Sequence, residues 1–344
     1  MSAGFEVLAP GLSTTVQDLG RIGYQQLGVP VSGALDAASL RLANAVLGNS
    51  PGAPALEILF SGPVLRVAAE RVRVALGGPG ARLSLGGEPA RTVPAWQSVS
   101  LARGAAFRVT PGDHSSCCYL AVEGGVAVPP VLGSAATYVR AGLGGLGGRA
   151  LRQGDFVPLA LAEAPARAEL RLKAPPEAAR DQPIRVVLGP QEDYFTEEAI
   201  AVLFGATFRV SPSADRMGIR LDGPKLRHRA GWDIVSDAIA TGAIQVPGSG
   251  QPILLLADHQ TTGGYPKIAT VISPDLSVVG RRRPGDAIRF VAVSVDKAEE
   301  ICREEEGRLA MIASAAEPVA QGGEVDLSSL YRANLISGVV TGRE

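Results

Sequence analysis

The residues best suited to chemistry in this sequence lie between positions 258 and 267. This polar stretch directly follows an apolar run at residues 253–257, and it carries Asp, Gln, two Thr and Lys around Gly263 and Gly264. An apolar strand that ends in a Gly-Gly turn places hydrogen-bonding side chains and accessible backbone N–H groups at the edge of a core. An amide presents one carbonyl acceptor and one N–H donor, which Gln, Thr and backbone groups can pair. The stretch therefore predicts a binding site for an amide.

A second polar, glycine-punctuated stretch occupies residues 14–23 and contains Gln17, Asp18 and Arg21. Because a single amide ligand needs donors and acceptors from more than one loop, we expect the two stretches to meet in space. The alternative interpretation is that both stretches are hydrogen-bonded loops that stabilise a domain junction.

Other motifs in the sequence lack the context that their chemistry requires. Residues 142–147 fit G-x-G-x-x-G, but no amphipathic helix follows to bind a pyrophosphate. Residues 48–52 fit G-x-S-x-G, but a helix is expected to end there, which is typical of a C-terminal cap. The three histidines and three cysteines lack the spacing of a metal site or a triad, and no P-loop phrase is present. We therefore predict no metal site in this chain.

The composition indicates a protein with a sizeable core and no field for polyanions. Of the 344 residues, 46% are apolar and 19% are charged, and 33 basic residues nearly balance 34 acidic ones. A net charge of -1 does not favour nucleic acid or an anionic membrane as a partner. The apolar runs are far shorter than the ~20 residues that cross a bilayer, and the first residues do not resemble a signal peptide. We expect a cytoplasmic protein that binds neither nucleic acid nor membrane.

Short alternating segments predict a mainly β protein with a few short helices. The 42 glycines and 25 prolines separate segments in which apolar and polar residues alternate, as in half-buried strands. Two segments, residues 72–76 and 81–85, flank a Gly-Gly-Pro-Gly turn and are interpreted as a hairpin. Helical patterns are predicted at residues 36–48, at residues 196–205 and after Asp296, where Glu299 completes a capping box.

A change in composition divides the chain into two parts. Residues 160–182 are rich in Ala, Pro, Glu and Arg, and their prolines interrupt any regular element. Similar phrases on either side, around Asp155 and Asp286, indicate a duplicated β domain. We predict one domain at residues 1–165, a linker at 166–183, a second domain at 184–313 and a tail at 314–344.

Several phrases together resemble the family of allophanate hydrolase subunit 2, the KipA proteins and the C subunits of 5-oxoprolinases. Coverage runs from about residue 7 to residue 293. The arginines at 281–283 depart from the family's phrase, and we interpret them as a solvated basic turn. The phrases that carry the resemblance, in the family's order, are residues 14–23, 119–122 with Gly124 and Gly125, 132–134, Gly205, Ser213 with 215–218, 220–221, 242–247 and 258–267.

The resemblance implies two cyclophilin-like β-barrel domains and an enzyme made of several subunits. It implies ATP-dependent opening of 5-oxoproline to glutamate, with Mg accompanying the ATP, by an assembly with proteins similar to the B and A subunits of 5-oxoprolinase. ATP is expected because phosphorylation of an unstrained lactam oxygen supplies a leaving group that water can displace. One alternative is the carboxyltransferase component of a urea or amide carboxylase, with biotin carried by another protein. Another is a non-catalytic, KipA-like regulator that binds a kinase inhibitor.

Within this scheme we assign roles to the polar residues of the matching phrases. We expect Thr261, Thr262 and Lys267 to line a cleft rather than the core, because polar side chains are costly to bury unless paired. The expected catalytic residues are Asp18, Asp258 and Lys267. The expected substrate-binding residues are Gln17, Arg21, Arg216, Gln245, Gln260, Thr261, Thr262, Gly263 and Gly264.

Overall fold

The computed structural model describes residues 3–86, 91–176 and 182–319, and strands dominate it. The elements of the first half are β1 Gly4–Ala9, β2 Ser13–Gln17, α1 Ala37–Val46, β3 Ala55–Leu59, β4 Val64–Val67, β5 Arg71–Gly77, β6 Arg82–Leu85, β7 Arg91–Pro94, β8 Ser98–Ala102, β9 Ala106–Thr110, β10 Cys117–Val122, β11 Phe156–Pro158 and β12 Leu170–Leu172. The prediction of a mainly β protein with few helices is confirmed.

The second half adds the remaining eleven strands and three α-helices of the described residues. Its elements are β13 Ile184–Leu188, α2 Glu197–Gly205, β14 Phe208–Ala214, β15 Gly218–Asp222, β16 Asp237–Ala238, β17 Ala243–Gln245, β18 Ile253–Leu255, β19 Thr262–Gly263, β20 Lys267–Val271, α3 Ser273–Gly280, β21 Ala287–Ile288, β22 Phe290–Ala292, α4 Val295–Ser314 and β23 Ala316–Pro318. Short 3-10 turns lie at Gln25–Leu27, Val139–Ala141 and Glu192–Tyr194.

The first half folds as two sheets around one core. A six-stranded sheet has the order β11-β1-β4-β9-β6-β7, and a five-stranded sheet has the order β2-β3-β10-β5-β8. Alternation within β10 explains how the second sheet packs, because Leu120 faces the shared core whereas Tyr119 faces the layer that contains α1. This sheet is therefore buried on both faces, which explains the nearly continuous apolar sequence of β10.

The predicted hairpin at residues 72–76 and 81–85 is wrong. Strand β5 pairs with β8 and β10 in the five-stranded sheet, whereas β6 pairs with β7 and β9 in the six-stranded sheet. The glycine-rich turn between them carries the chain from one sheet to the other. Alternation indicates which side chains are buried, but it does not determine which strand lies alongside.

The second half forms an eight-stranded sheet with the order β21-β14-β15-β18-β17-β20-β13-β22. Its neighbours are antiparallel except for the parallel pair of β13 and β22. The core on its inner face contains Leu203 of α2 and Val279 of α3. A separate two-stranded ribbon, β16 with β19, lies beside β17 and holds the polar stretch at residues 258–267.

Helix starts follow the predicted caps with one shift. The carboxylate of Asp36 accepts from the N–H of Ser39 at the start of α1, and the hydroxyl of Thr196 caps α2. The third predicted helix, α4, begins after Ser294 rather than Asp296, because the Ser294 hydroxyl accepts from the backbone N–H of Lys297. Helix α3 was not predicted, since its eight residues show too short a pattern.

The two similar phrases around Asp155 and Asp286 adopt the same local structure. Each carboxylate accepts a hydrogen bond from the backbone N–H three residues earlier, at 2.7 and 2.8 Å. Each turn also exchanges backbone hydrogen bonds with an apolar strand residue, Val7 in one case and Val210 in the other. The preceding glycine has a positive φ in both turns, 85° and 89°, which L side chains rarely adopt. This match supports the predicted duplication.

The predicted domain bounds and the cyclophilin-like form of the domains remain predictions. The strands before residue 160 and those after residue 183 belong to different large sheets. Within the predicted linker, β12 pairs with β23, which follows α4 at the start of the predicted tail. Residues 320–344 of that tail lie outside the described residues. Among the described helices, none combines the length and apolar character that crossing a membrane requires.

Candidate active site

A buried charge cluster joins the two halves of the molecule around Arg216. The Nε and Nη2 of Arg216 donate to the carboxylate of Asp258 at 2.9 and 3.1 Å, and Nη1 donates to Glu57 of β3. The Nη2 also donates to the carbonyl of Gly33 at 2.6 Å. The hydroxyl of Tyr119 donates to Glu57 at 2.7 Å. All four charged or phenolic side chains are buried, so this junction cluster has no open position for a ligand.

Burial and ion pairing act in opposite directions on the groups of the junction cluster. Burial disfavours the charged guanidinium, but Glu57 and Asp258 more than offset it, so the pKa of Arg216 lies above its ordinary value. Burial and the adjacent Glu57 carboxylate raise the pKa of Tyr119 well above its ordinary value. Arg216 is therefore a fixed cation and Tyr119 a fixed hydrogen-bond donor.

The arginines at 281–283 extend the contact between the halves, so their interpretation as a solvated turn is wrong. Arg281 forms an ion pair with the N-cap residue Asp36 at 2.7 Å. Arg282 is buried, and Arg283 donates to the carbonyl of Asp113. These arginines connect α3 and the following turn to the first half.

The polar stretch at residues 14–23 braces a neighbouring loop. The carboxylate of Asp18 accepts from the backbone N–H groups of Gly20 and Ala135 at 2.7 and 2.6 Å, and from the hydroxyl of Ser134 at 2.7 Å. The Nε2 of Gln17 donates to the carbonyl of Thr137 at 3.1 Å. Both side chains are buried, and their bonds hold the loop that leads to the turn at residues 139–141.

Arg21 is buried beneath the same loop and donates to the carbonyl of Ala136. Its Nε and Nη1 make no hydrogen bond with the described residues. Burial lowers the pKa of Arg21, and the charges of Asp18 and Asp258 oppose this effect. The charge of Arg21 thus interacts with that of Asp258 in the other polar stretch, whereas the side chain of Gln17 forms hydrogen bonds within its own half.

The floor of an open pocket is built from one row of residues across the second-half sheet. Arg220 of β15 pairs with Ile253 of β18, which in turn pairs with Gln245 of β17. Residues paired across neighbouring strands point to the same face, so these three side chains share the outer face of the sheet. Their neighbours Ile219 and Leu254 point inward to the core.

Two side-chain amides converge on this floor. The Nε2 of Gln260 donates to the Oε1 of Gln245 at 3.3 Å, and the Nε2 of Gln245 donates to the carbonyl of Tyr265 at 3.4 Å. The Oε1 of Gln260 accepts no hydrogen bond from the described residues, and each Nε2 has a second N–H. A Cβ at Gly263 would lie 2.9 Å from the Nε2 of Gln245, so an added methyl group would make the end of the Gln245 side chain shift.

The pocket around these amides, here called the amide pocket, has a volume of about 410 Å³. This size suits a small ligand, since small-molecule sites span about 300–1,000 Å³. On its rim, Arg140 from the braced loop lies 3.8 Å from Asp215. The lining residues are Arg140, Pro212, Ser213, Ala214, Asp215, Met217, Gly218, Arg220, Gln245, Ile253, Leu255, Gln260 and Tyr265.

Lys267 does not line a cleft, contrary to expectation. Its side chain is buried, and Nζ donates to the Asp237 carboxylate at 2.6 Å and to the carbonyl of Ala238 at 3.0 Å. Lys267 pairs with Gln245 across β20 and β17, so it holds the β16 ribbon against the edge of the pocket floor. The ammonium group thus binds the chain itself.

The rest of the stretch at residues 258–267 shows graded exposure. Thr262 is exposed on β19, where it pairs with Ala238, and Thr261 is half-buried and accepts from the N–H of Ile239 through its carbonyl. Gly264 is half-buried, and a Cβ there would lie 3.3 Å from the nearest atom. None of these residues lines the amide pocket, which borders them through Gln260 and Tyr265.

His259 is buried beside Gln260 and Thr241. Its Nδ1 lies 2.6 Å from the carbonyl of Gln260, and its Nε2 lies 3.0 Å from the hydroxyl of Thr241. Burial lowers the pKa of His259 below its ordinary value, against the raising influence of its contact with Gln260 and the charge of Asp258. The ring is therefore neutral near pH 7 and fixes the carbonyl of Gln260.

The structure brings together only part of the predicted site. Gln245 and Gln260 meet in the amide pocket, whereas Asp258 and Arg216 lie in the junction cluster and Gln17, Asp18 and Arg21 brace a loop. The catalytic and binding roles assigned to all these residues remain predictions. Residues that the site assignment missed are Glu57, Tyr119, Arg140, Arg220, Asp237 and Tyr265. Arg220 and Tyr119 lie within the phrases that carry the family resemblance. Their residue types do not indicate that Arg220 lines a pocket whereas Tyr119 is buried.

A second cavity of about 330 Å³ lies between α1, α3 and α4. Its walls include Leu35, Leu276 and Leu309, and the ion pair of Arg41 with Glu306 lies at one side. The two convergent amides are absent from its lining. We therefore take the amide pocket as the candidate active site.

Comparison of the chain with known proteins identifies its family. A model described as "Carboxyltransferase domain, subdomain A and B" matches residues 27–292. The chain is 34% identical over 293 residues to the C subunit of 5-oxoprolinase from Escherichia coli strain K12, covering 85% of this chain and 92% of that protein. It is 35% identical to the C subunit of 5-oxoprolinase from Haemophilus influenzae, again covering 85% and 92%.

A solved structure supports the same assignment. The crystal structure of the Kluyveromyces lactis urea carboxylase matches 90% of this chain and 29% of that chain, with a TM-score of 0.80 and 32% identity. The extent of the family match and the identity to full-length relatives both exceed what a shared fold alone produces. This chain therefore belongs to the family of carboxyltransferase domains with subdomains A and B.

Proposed function

We propose that this chain is a component of an ATP-dependent 5-oxoprolinase, which opens 5-oxoproline to glutamate together with proteins similar to the B and A subunits of that enzyme. Two relatives of nearly equal length are named as the C subunit of 5-oxoprolinase. We place the enzyme in the cytoplasm, where ATP is available. The observation that carries the proposal is the pair of amides, Gln245 and Gln260, at the floor of an open pocket.

The two glutamines offer the hydrogen-bonding groups that a lactam needs. The free Oε1 of Gln260 accepts the lactam N–H, and the second N–H of Gln245 or Gln260 donates to the lactam carbonyl. Their mutual hydrogen bond, together with the bond from Gln245 to the carbonyl of Tyr265, limits rotation of both amides. Ile253 and Leu255 provide an apolar surface for the methylene groups of the ring.

Two common signs of a site for ATP and Mg are missing, one from the described residues and one from the sequence. No group of three or more His, Cys, Asp and Glu side chains in residues 3–86, 91–176 and 182–319 is arranged to hold a metal ion. The sequence also contains no P-loop phrase. We therefore assign this chain to lactam binding and orientation, and we assign no residue of it to the nucleotide.

A second candidate function is the carboxyltransferase component of a biotin-dependent urea or amide carboxylase. The name of the family and the structural match to the Kluyveromyces lactis urea carboxylase favour it. In that case biotin is carried by another protein, and the same two glutamines bind urea, which is also an amide. The relatives named above are enzymes or enzyme subunits, so they give no support to a regulatory role.

Reconstitution tests the proposal and separates the two candidates. The purified chain is mixed with its B-type and A-type partners, and glutamate release from 5-oxoproline is followed with and without ATP. We expect turnover only with ATP and only in the assembly, and we expect Gln260→Leu to abolish it while the melting temperature stays within a few degrees. Turnover by the isolated chain, or carboxylation of urea in place of lactam opening, contradicts the proposal.

A further inference from the structure

We infer that Arg220 binds the carboxylate of the substrate and thereby selects an anionic lactam over a neutral amide. This inference rests on the proposed function, because it concerns the same amide pocket. It assigns the pocket's specificity to a residue whose side chain lies opposite the two glutamines on the pocket floor.

Arg220 is exposed, and no other described residue pairs with its guanidinium. Its guanidinium makes no hydrogen bond or ion pair within residues 3–86, 91–176 and 182–319, and it lines the amide pocket. Arg140, on the rim of the pocket, lies near Asp215. A guanidinium presents five donors in a planar fork that matches a carboxylate, so Arg220 can hold such a group through two hydrogen bonds.

The register of the sheet sets a suitable distance between Arg220 and the amides. Arg220 and Gln245 lie on strands that flank β18, and both pair with Ile253. Because neighbouring strands are about 4.8 Å apart, the two backbones are roughly 10 Å apart. Arg220, Ile253 and Gln245 all line the amide pocket, with Ile253 between the other two in the register of the sheet. In 5-oxoproline the carboxylate is on the ring carbon next to the nitrogen, on the side away from the lactam carbonyl, so the molecule can present its carbonyl to the glutamines and its carboxylate to Arg220.

The charge of the pocket matches a monoanion. Its charged lining residues are Arg140, Arg220 and Asp215, so two positive charges and one negative charge leave an excess of one positive charge. A singly charged carboxylate neutralises this excess. Urea and other neutral amides carry no such charge, so they leave Arg220 without a partner. The pocket thus fits the substrate of the first candidate function better than that of the second.

An arginine in this position also suits a phosphate group, and ATP is a second source of anions in the proposed reaction. The test must therefore distinguish the carboxylate of 5-oxoproline from a phosphate of the nucleotide. The Michaelis constants of the two substrates give this distinction, since each reports on a different anion. The neutral lactam 2-pyrrolidinone, which lacks the carboxylate, provides a third probe.

The experiment uses the reconstituted assembly with Arg220→Met, Arg220→Lys and a control, Arg108→Met. Arg108 is an exposed strand arginine in β9, on the other half of the molecule and outside the lining of the amide pocket. We expect Arg220→Met to raise the KM for 5-oxoproline at least about tenfold, because one charged hydrogen-bonded contact is lost. The KM for ATP should not change. Arg220→Lys restores part of the loss, and Arg108→Met has no effect.

Inhibition by 2-pyrrolidinone completes the test. Its inhibition constant should be the same in the wild type and in Arg220→Met, because this ligand has no carboxylate. If the variant weakens both lactams equally, Arg220 only shapes the pocket and the inference is wrong. If it raises the KM for ATP instead, the arginine binds phosphate and the inference is also wrong.

Failure of the proposed function can be distinguished from failure of this inference. If the assembly has no activity on 5-oxoproline, the proposed function fails, and calorimetric binding of 5-oxoproline to the wild-type and Arg220→Met chains then tests the arginine alone. Binding that is lost in the variant supports the carboxylate contact. Equal binding, or no binding to the wild type, overturns it. If the assembly is active and Arg220→Met changes the KM for 5-oxoproline less than twofold, only the inference fails.

Discussion

Arg216 and Arg220 lie four residues apart, and they occupy opposite kinds of environment. Every nitrogen of the Arg216 guanidinium donates a hydrogen bond, to Glu57, Asp258 or Gly33, and the side chain is buried. Arg220 is exposed in the amide pocket and bonds to no other described residue. The first arginine precedes β15 and points into the junction, whereas the second lies within β15 on the outer face of the sheet.

This difference separates a structural cation from one that is available to a ligand. A buried guanidinium whose three nitrogens are all hydrogen-bonded cannot bind a substrate without breaking existing ion pairs, which is costly in a medium of low dielectric constant. An exposed guanidinium above an apolar floor can bind an anion at little cost. The same reasoning separates buried Lys267, which is paired with Asp237, from the glutamines of the amide pocket.

The largest effect is expected from removal of the cation of the junction cluster. Arg216→Met leaves Glu57 and Asp258 buried without a counter-charge, so we expect the free energy of unfolding to fall by about 3–5 kcal/mol. Denaturant-induced unfolding followed by circular dichroism measures the change. Arg220→Met serves as the matched control and should change the stability by less than about 0.5 kcal/mol. Similar losses in both variants contradict the distinction between the two arginines.

A methyl group at Gly263 probes the amide pocket rather than the junction cluster. The added Cβ of Gly263→Ala would lie 2.8 Å from the Cδ1 of Ile239 and 2.9 Å from the Nε2 of Gln245, so the Gln245 amide must shift from its position beside Gln260. We expect kcat/KM of the assembly for 5-oxoproline to fall at least about tenfold, which corresponds to ~1.4 kcal/mol of lost transition-state binding. Gly264→Ala is the matched control, because its Cβ meets nothing closer than 3.3 Å. Equal activities of the two variants argue against a role of the amide pair.

The pH dependence of stability tests the burial of His259 beside Gln260. Burial lowers the pKa of His259 in the folded protein, so below about pH 6.5 the unfolded chain binds the proton more readily. The contribution of His259 to stability is complete above about pH 6.5 and decreases as the pH falls toward the lowered pKa. We expect His259→Gln to reduce the loss of unfolding free energy between about pH 7 and pH 5. Identical profiles for the wild type and His259→Gln contradict the prediction.

The smallest effect on stability is expected at Thr262, at the edge of the amide pocket. Its side chain is exposed, and its hydroxyl makes no hydrogen bond with the described residues, so Thr262→Val should change the free energy of unfolding by less than about 0.5 kcal/mol. If the hydroxyl binds substrate, the activity of the assembly falls while the melting temperature is unchanged. The opposite outcome is a free energy of unfolding that falls by about 1 kcal/mol or more, the cost of leaving a buried partner unpaired, with full activity per folded molecule. That outcome would show that Thr262 braces its loop.

Local sequence patterns account for the secondary structure of this protein and for the polar residues that attract attention. Alternation predicted the mainly β fold, and Asp36 and Thr196 cap helices as their types require. The turns at Asp155 and Asp286 form because a glycine with positive φ and an aspartate that accepts a backbone hydrogen bond are local properties. The stretch at residues 258–267 predicted an amide site, and of its residues Gln260 and Tyr265 line the amide pocket.

Which polar residues share a site, in contrast, depends on the tertiary fold. Glu57 lies 159 positions from Arg216 along the chain, and no local pattern predicts that the two are paired. The partners of β5 and the different environments of Arg216 and Arg220 likewise depend on which strands lie side by side. Side-chain type and spacing determine what a residue can bond, but burial and long-range pairing determine whether its bonds are already used or are left for a ligand.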